Sequence, residues 1–321
     1  MPIRGISPSL IEAYNVCPLQ VYFDRILKPK PQVPEWIGKV FGDAIHHFIA
    51  RHLYKQSQYP LGFKDKKSMN GFWCIYWDSI MKGDNKLFKR NVGQVWYRDG
   101  ESPEDLKKRG IAILSLYWDS NINQPRPPFI EYEITTNFNG IQLVGVIDQI
   151  RTNPENERHI IIDLKTGRGY GVGERNEFPL DKNIQLTFYS MLYRMTFQKE
   201  EDSLAIYDLN EGKLRKTVRT EEDILHLQKV LTTISEDLTN LRFPRNFGKH
   251  CAMCDYQLPC YKPREYFSGE NELTDEESEK IIFGYLGMPG VDISERKLTT
   301  IETNIKPRTQ KPKQLRLKFK S

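Results

Sequence analysis

The stretch HIIIDLKTG, residues 159–167, begins as a buried strand and ends in charge. Its three consecutive isoleucines suit a central position in a sheet, whereas Asp163 and Lys165 carry charges that are costly to bury. Because side chains alternate along a strand, residues two apart project from the same face, roughly 6.5–7 Å apart. Asp163 and Lys165 therefore point together, either as an ion pair at a strand end or as part of a polar site.

Two further strands are predicted before this one. The segments FIEYEITTNF and IQLVGVIDQI are separated by Asn139-Gly140, a dipeptide typical of a two-residue hairpin turn, and the turn NPENER follows them. The three strands form a β-meander. Counting residues across NPENER places Asp148 roughly opposite Asp163. Two carboxylates beside a lysine could hold a hard divalent cation for phosphate chemistry.

Helices are predicted on both sides of the meander. A helix begins near Ser7 and is interrupted or ends near Pro18, and WIGKVFGDAIHHFIARHLY forms the next helix. Residues 55–125 predict a helical insertion rich in aromatic side chains. After the meander come a helix in NIQLTFYSMLYRMTF, a hairpin in LAIYDLNEGKLRKTV and a long helix starting at Thr220.

The composition is that of an ordinary water-soluble protein. The chain has 321 residues, enough for one large domain, which is the default expectation, or for two. Its mean hydropathy is −0.59, it contains no run of about 18 apolar residues, and its N-terminal residues lack the apolar stretch of a secretory signal. We therefore expect an intracellular protein, cytoplasmic or nucleoid-associated, encoded by a bacterium or a phage.

The C-terminal tail differs from the rest of the chain. Residues 306–321 contain seven Lys or Arg and no acidic residue, so the other residues carry a formal net charge of −2 out of the total of +5. Such a tail is predicted to be disordered and to attract polyanions. Within it, QLRLKF (residues 314–319) resembles the short peptide with which bacterial and phage replication proteins bind the sliding clamp. Residues 268–305 predict a small appendage with one capped helix.

Four motifs together resemble the RecB-like branch of the PD-(D/E)XK nuclease superfamily. That branch places an acid on one strand, D/E-x-K on the next and Q-x-x-x-Y on the following helix, and GVID, IIIDLKTG and QLTFY match in that order. GDAIHH resembles its upstream helix motif, with the histidine at His46 rather than His47. The resemblance implies an α/β, restriction-endonuclease-like domain over residues 1–267, in which helices flank a mixed central sheet.

The resemblance also implies roles for individual residues. The ligands of Mg²⁺ or Mn²⁺ that it implies are His46, Asp148, Asp163 and the backbone carbonyl of Leu164. Its catalytic residues would be Asp148, Asp163, Lys165, Gln185 and Tyr189, with the lysine orienting water or stabilising charge and the last two holding the lysine or the DNA backbone. The alternatives are a core histidine at His46 and ordinary helix packing for Gln185 and Tyr189. Glu133 could reach the site or lie on the surface.

The cysteines suggest a second metal centre. Cys17, followed by Cys251, Cys254 and Cys260 as C-x2-C-x5-C, resembles the iron-sulfur subgroup of the branch, which includes exonuclease V, a CRISPR adaptation nuclease and AddB-type nucleases. The resemblance implies a 4Fe-4S cluster that joins the N- and C-terminal parts, although the spacing alone also permits a zinc site. The fifth cysteine, Cys74, is expected to be a buried packing residue.

These inferences predict a metal-dependent DNA exonuclease that selects single strands and acts in DNA repair, recombination or replication. The alternatives are a CRISPR adaptation nuclease that trims DNA before integration, and a non-catalytic iron-sulfur DNA-binding module recruited to the replication machinery. Trp73, Trp77 and Trp96 could stack on single-stranded DNA or form the core of an added helical layer.

Overall fold

The computed structural model describes residues 5–27, 35–84, 86–88, 92, 95–97, 101–167, 180–254, 256 and 260. These residues divide into two units: residues 12–27 and 234–260 belong to the first unit, and residues 5–11 and 35–233 to the second. The first unit thus combines a segment near the N-terminus, residues 12–27, with the C-terminal part of the described chain. The predicted appendage (268–305) and basic tail (306–321), with its clamp-like peptide, lie outside the described residues.

The described part of the chain contains seven α-helices and seven strands. Its α-helices are α1 (Pro8–Val16), α2 (Pro18–Tyr22), α3 (Ile37–Phe48), α4 (Lys66–Met81), α5 (Pro103–Asn121), α6 (Ile184–Phe197) and α7 (Glu221–Thr239). Its strands are β1 (Glu35–Trp36), β2 (Val95–Trp96), β3 (Phe129–Phe138), β4 (Ile141–Thr152), β5 (His159–Lys165), β6 (Ser203–Asp208) and β7 (Lys213–Thr217). Segments Phe23–Leu27 and Ile49–Leu53 are π-helical, and Leu180–Lys182 and Lys249–Met253 are short 3₁₀ turns. None of the described helices combines the length and apolar character needed to cross a membrane.

Polar side chains mark where several helices begin. The Asp65 carboxylate accepts from the backbone N–H of Ser68, the third residue of α4, and Asn183 caps α6 in the same way. Thr220 and Asp223 form reciprocal bonds at the start of α7, as the sequence predicts.

The main sheet has five strands in the order β3-β4-β5-β6-β7. The β3-β4, β4-β5 and β6-β7 pairs are antiparallel and the β5-β6 pair is parallel, so the predicted meander, hairpin and mixed sheet are confirmed. Asn139 and Gly140, with φ of 49° and 81°, form the turn between β3 and β4. A separate pair of two-residue strands, β1 and β2, is parallel.

A helical layer formed by α3, α4 and α5 covers one face of β5 and β6. Trp73 and Trp77 of α4 are fully buried in this layer, and a Cβ added at Gly110 of α5 would come within 2.3 Å of the Trp73 ring. These two tryptophans are therefore core residues, and stacking on DNA is excluded for them because their rings have no exposed face. The side chain of Trp96 lies outside the described part of the structure.

The other face of the sheet is covered by α6. Gly145 of β4 permits this approach, because a Cβ there would come within 2.6 Å of Leu192 and 3.5 Å of Tyr189. In contrast, Gln149, four residues along the same strand, donates a hydrogen bond to Tyr117 of α5. Side chains four residues apart project from the same face of a regular strand. The alternation of side chains in β4 is therefore interrupted between Gly145 and Gln149.

This interruption coincides with a distorted residue in β3. Glu131 has φ of 45°, in the left-handed region that residues other than glycine rarely adopt. Phe129 and Tyr132 lie on either side of it and are three residues apart, yet both rings are near Phe197 of α6, at 5.6 and 5.9 Å between centroids. Glu131 therefore reverses the alternation of β3 at the position next to Asp148 of β4.

Candidate active site and cysteine group

Two carboxylates meet where β4 and β5 cease to pair. The last antiparallel pair is Gln149↔Ile162, and the next residues along the two strands are Asp148 and Asp163. The backbone N–H of Leu164 donates to Asp148 Oδ2 at 2.7 Å, so a side-chain oxygen replaces the main-chain acceptor of the ladder. The register agrees with the count across the NPENER turn, and the end of the β4-β5 pairing places the two carboxylates side by side within the sheet.

His46 approaches this pair from α3. Its Nδ1 lies 3.1 Å from Asp148 Oδ1. The neighbouring histidine, His47, points elsewhere and makes a 2.9 Å hydrogen bond with the hydroxyl of Tyr76. Of the two histidines, His46 is the one that contacts the acidic pair.

Lys165 is held by partners on two elements. Its Nζ is 2.8 Å from Asp163 Oδ2 and donates to Gln185 Oε1 at 2.7 Å. Gln185 in turn donates from Nε2 to the hydroxyl of Tyr189 at 2.9 Å. The four-residue spacing puts Gln185 and Tyr189 on one face of α6, so the helix fixes the ammonium through a hydrogen-bonded chain.

The charges of this group shift one another's protonation. Burial alone would lower the pKa of His46, but the charge and hydrogen bond of Asp148, aided by Asp163, raise it to about 9. Burial would raise the pKa of Asp148, yet His46 and the Leu164 N–H lower it. Burial, followed by the charge of Asp148, raises the pKa of Asp163 to about 6 despite Lys165. The face is therefore a mutually neutralising set of two acids, an imidazolium and an ammonium.

The donor chemistry fits a hard divalent cation. Carboxylate oxygens are typical ligands of Mg²⁺ and Mn²⁺, whereas an imidazole nitrogen is better suited to a transition metal than to Mg²⁺. Asp163 is 3% exposed, and among the described residues no group makes a well-aligned hydrogen bond to its Oδ2, although Lys165 is within ion-pair distance. No set of three or more His, Cys, Asp or Glu side chains in the described chain is already arranged around a metal-sized space. The contact between His46 and Asp148 would therefore have to open for a cation to enter.

Sequence reasoning missed the acidic residue of β3 that lies beside the site. Glu133, the residue considered from the sequence, is exposed. Glu131 is partly buried and makes an ion pair of 3.1 Å with Arg51. Burial raises the pKa of Glu131. The charge of Arg51 opposes this rise, and the charge of Asp148 adds to it. In a regular strand Glu131 and Glu133 would project from the same face. The sequence pattern therefore gives no indication of the left-handed φ at Glu131, which makes their environments different.

Two arginines that support the site were also missed. Arg109 of α5 donates to the Thr166 carbonyl just after β5 and, at 2.7 Å, to the side chain of Asn210. Arg219 is 5% exposed and donates to Thr187 Oγ1 at 2.7 Å on the first turn of α6. It also donates to the carbonyls of Leu180 and Asn183, which precede α6. These contacts fix the end of β5 and the start of α6, the two elements that present Lys165 and Gln185.

The first unit gathers four cysteines, Cys17, Cys251, Cys254 and Cys260, which we call the cysteine group. Burial, together with the charges of the other three members, raises the pKa of Cys260 to about 11, although Arg245 opposes this. Asn246 connects two of their segments: it donates to the Val16 carbonyl at 2.8 Å, and its own carbonyl lies 3.8 Å from Cys251 Sγ. The Cys260 thiol is thus within electrostatic range of the other three. Four sulfur ligands suit an iron-sulfur cluster or zinc, although no three of the described cysteine side chains already surround a metal-sized space.

The fifth cysteine lies apart from this group. Cys74 is on α4 in the second unit and is partly buried, not fully buried as the sequence suggests. It is next to Trp73 in the sequence but is not among the buried residues of α4.

Comparison with known proteins gives one family and two solved structures. The family model described as the PD-(D/E)XK nuclease superfamily matches residues 5–261. The crystal structure of a protein called SSO0001 is 14% identical with a TM-score of 0.31, covering 78% of this chain and 94% of that one. A protein from Eubacterium rectale, provisionally described as an exonuclease, is 15% identical with a TM-score of 0.33, covering 66% and 85%. No curated protein sequence matches the chain.

Proposed function

The chain belongs to the PD-(D/E)XK nuclease superfamily, and from that premise we propose that it is a Mg²⁺- or Mn²⁺-dependent DNA exonuclease that prefers single strands and acts in repair, recombination or replication. The observation that carries the proposal is the convergence of Asp148, Asp163 and Lys165 at the end of the β4-β5 ladder, with His46 in contact. Cation ligands beside a fixed positive charge suit the hydrolysis of a phosphodiester, because both stabilise the negative charge that develops on the phosphate.

Four groups would hold the cation. They are His46 Nδ1, the carboxylates of Asp148 and Asp163, and the backbone carbonyl of Leu164. When bound, a divalent cation would polarise the scissile phosphate and lower the pKa of an attacking water. Asp148 is already held in place by the hydrogen bond from the Leu164 N–H. His46 is in contact with Asp148 and would release its proton to solvent before it binds the cation.

Lys165 supplies the positioned ammonium. Its contacts with Asp163 and Gln185 restrict its rotamers, so Nζ can donate to the attacking water or to a non-bridging oxygen as negative charge develops. Water then adds to phosphorus, and the phosphorus–oxygen bond to the leaving sugar oxygen breaks. Gln185 and Tyr189 act through the lysine and are positioning residues in this proposal.

The cysteine group would hold a 4Fe-4S cluster with a structural role. Support comes from the resemblance of the cysteine spacing to the iron-sulfur subgroup. It also comes from the proximity of the other three cysteines to Cys260, whose pKa their charges raise. A cluster there would connect chain segments more than 200 residues apart, since Cys17 precedes the sheet and the other three follow it. Zinc is the competing occupant, and metal analysis separates the two.

The test of the activity uses four DNA substrates with the purified full chain. End-labelled single-stranded and duplex DNA, each linear and circular, is incubated with Mg²⁺ or Mn²⁺. We expect linear single strands to be shortened from an end and circles to stay intact. Cutting of circular single strands would make the protein an endonuclease, and no cutting of any substrate with either metal would refute the nuclease proposal.

Recruitment to a sliding clamp through residues 314–319 is a separate proposal. In an extended chain Leu315, Leu317 and Phe319 project to one side and could enter an apolar groove. A peptide of residues 306–321 should bind a bacterial-type clamp saturably at moderate salt, and replacing Leu317 and Phe319 with alanine should abolish binding. If the unmodified peptide fails to bind, the tail is a cationic arm only.

A further inference from the structure

A distorted residue lies beside the carboxylate pair. Glu131, the third residue of β3, has φ of 45°, whereas an extended conformation is the rule within a strand. The pairs Ile130↔Gln149 and Tyr132↔Ile147 flank it, so it lies opposite Asp148. Strain of this kind persists only where surrounding contacts impose it, and it is frequent at functional sites.

The distortion brings the Glu131 carboxylate to Arg51. Glu131 Oε2 lies 3.1 Å from Arg51 Nη2, and this is the closest charged contact of the glutamate. The carboxylate side is sheltered, with 24% of the Glu131 side chain exposed, whereas 64% of the Arg51 side chain is exposed. The pair therefore has a fixed acidic end and an accessible basic end.

Arg51 itself lies on an irregular segment. It belongs to the π-helical turn Ile49–Leu53, which continues α3 only a few residues after His46. Single π-helical turns within α-helices often occur at functional sites because they redirect side chains. A guanidinium has five N–H donors, and one carboxylate oxygen at Nη2 leaves others directed toward solvent.

The charges around the ion pair of Arg51 and Glu131 indicate what the arginine could bind. Glu131, Asp148 and Asp163 place three carboxylates in a row across the neighbouring strands β3, β4 and β5, and a DNA strand that approaches them carries a negative charge on every phosphate. A cation offsets part of this repulsion at the scissile phosphate, but the adjacent phosphate needs its own positive partner. Arginine forms bidentate contacts with phosphate, and a carboxylate behind it restricts the orientation of the fork.

We propose that Arg51 binds a backbone phosphate next to the one that is cleaved, and that Glu131 positions its guanidinium. Arg51 is then a substrate-binding residue, and Glu131 acts through it. The inference rests on the proposed nuclease function and extends it by assigning a phosphate subsite. The direct pairing of Glu131 with Arg51 favours this assignment over a role for Glu131 as an additional cation ligand.

The test is a double-mutant cycle on the full chain. Arg51→Ala, Glu131→Gln and the double variant are compared with the unmodified protein. Steady-state cleavage of single-stranded DNA is measured in Mn²⁺, and equilibrium DNA binding is measured in Ca²⁺ at several salt concentrations. Arg51→Ala should raise Kd and KM about tenfold, change kcat less than about twofold, and reduce the salt slope by about 0.7, as expected for one lost phosphate contact on a single strand.

The two positions should be coupled. Glu131→Gln should raise Kd about threefold in the unmodified background and have no effect in the Arg51→Ala background, since it acts through the arginine. Arg51→Lys keeps the charge without the fork and should give an intermediate Kd. Glu131→Gly, which relieves the left-handed strain, should unfold at an equal or higher temperature while showing the same loss of DNA affinity, so a folding defect cannot imitate the result.

Two matched controls lie in or next to the strands of the site. Glu133→Gln changes an exposed glutamate two residues along β3, and Arg158→Ala changes a half-exposed arginine that precedes β5 at the end opposite Asp163. Both should leave Kd unchanged.

Three outcomes would overturn the inference. The first is an unchanged Kd and salt slope in Arg51→Ala, while the unmodified protein binds and cuts DNA. The second is a Glu131→Gln defect that persists without Arg51 and is accompanied by weaker Mn²⁺ binding in the absence of DNA, which would make the glutamate a cation ligand. The third is an unmodified protein that neither binds nor cuts DNA, which would refute the proposed function as well.

Discussion

The acidic face of β4 and β5 and the cysteine group both collect metal-ligating side chains, but different parts of the chain hold them in place. On the acidic face, Asp148 and Asp163 belong to adjacent long strands, and each has a charged or hydrogen-bonding partner within the protein. In the cysteine group, Cys17 lies between two short helices, and Cys251 lies in a 3₁₀ turn. The first site is arranged by the sheet, whereas the second depends on short irregular segments.

This difference predicts what each site loses without its metal. A site that the sheet prearranges should lose activity and keep its fold. A site made of irregular segments should gain much of its order from the bound group, because metal binding free energy then contributes to folding.

Removing charge from the acidic face should abolish cleavage with little effect on folding. Asp163→Ala or Lys165→Ala should reduce the rate of DNA cleavage by about 10³-fold or more, because each removes a group that stabilises charge in the reaction. The circular dichroism spectrum and the unfolding midpoint should stay close to those of the unmodified protein, and Asp163→Ala could raise the midpoint by relieving repulsion from Asp148. Cleavage at the original rate in either variant would refute the assignment.

The cysteine group should behave in the opposite way. Protein purified without oxygen should be brown and contain about four iron atoms per chain. Replacing Cys254 with serine should remove the metal and lower the free energy of unfolding by about 4 kcal/mol, since the loss of a structural metal is among the largest single effects. Cys74→Ser is the control and should keep the iron. About one zinc and no iron would identify a zinc site instead.

Alanine substitutions at two glycines test how closely α6 packs against the sheet. Gly145→Ala inserts a methyl group 2.6 Å from Leu192, which should shift α6, lower the free energy of unfolding by about 1–2 kcal/mol and reduce kcat severalfold through Gln185. Gly71→Ala is a matched control on α4, where the added methyl meets no atom within 4 Å. It should stabilise the helix by about 0.5–1 kcal/mol and leave kcat unchanged. Equal kcat values in the two variants would show that the lysine does not depend on α6.

The smallest effect concerns an imidazole that belongs to neither site. Burial, with the charges of His47 and Lys55, lowers the pKa of His52 to about 4, whereas Asp148 raises that of His46. Between pH 6.5 and 4 the unfolded chain binds a proton at His52 that the folded chain does not, so stability falls as the pH falls. From pH 7 to 4.5 the unmodified protein should lose about 1 kcal/mol more than His52→Leu in urea denaturation, since solvent screening weakens the effect of a partly exposed imidazole. Parallel curves for the two proteins would contradict the assigned pKa shift.

Much of the sheet could be predicted because its signals are local. The Asn139-Gly140 turn, the alternation of β3 and β4, and the apolar run of β5 each depend on a few adjacent residues. The opposition of Asp148 and Asp163 followed from counting across one turn. The gathering of the four cysteines had no such local basis and came from the resemblance to a family.

Other features depend on contacts that sequence patterns do not encode. The reversal at Glu131 depends on packing from both faces of the sheet, so alternation directed attention to Glu133 instead. The tryptophans of α4 could equally have stacked on DNA, and only the packing of α3 and α5 against them shows that they are core. The supporting role of Arg219 requires that β7 ends beside the start of α6, which no local pattern predicts.

The composition of β7 bears on self-association. This strand lies at one edge of the five-stranded sheet and has β6 as its neighbour among the described strands, so its outer N–H and C=O groups could accept a strand from another molecule. It is only five residues long, and Lys213, Arg215 and Lys216 are three of them. Positive charge repeated along a short edge repels an identical edge, so two copies of the chain would resist joining through β7 and the protein would be protected from sheet-mediated aggregation at high concentration.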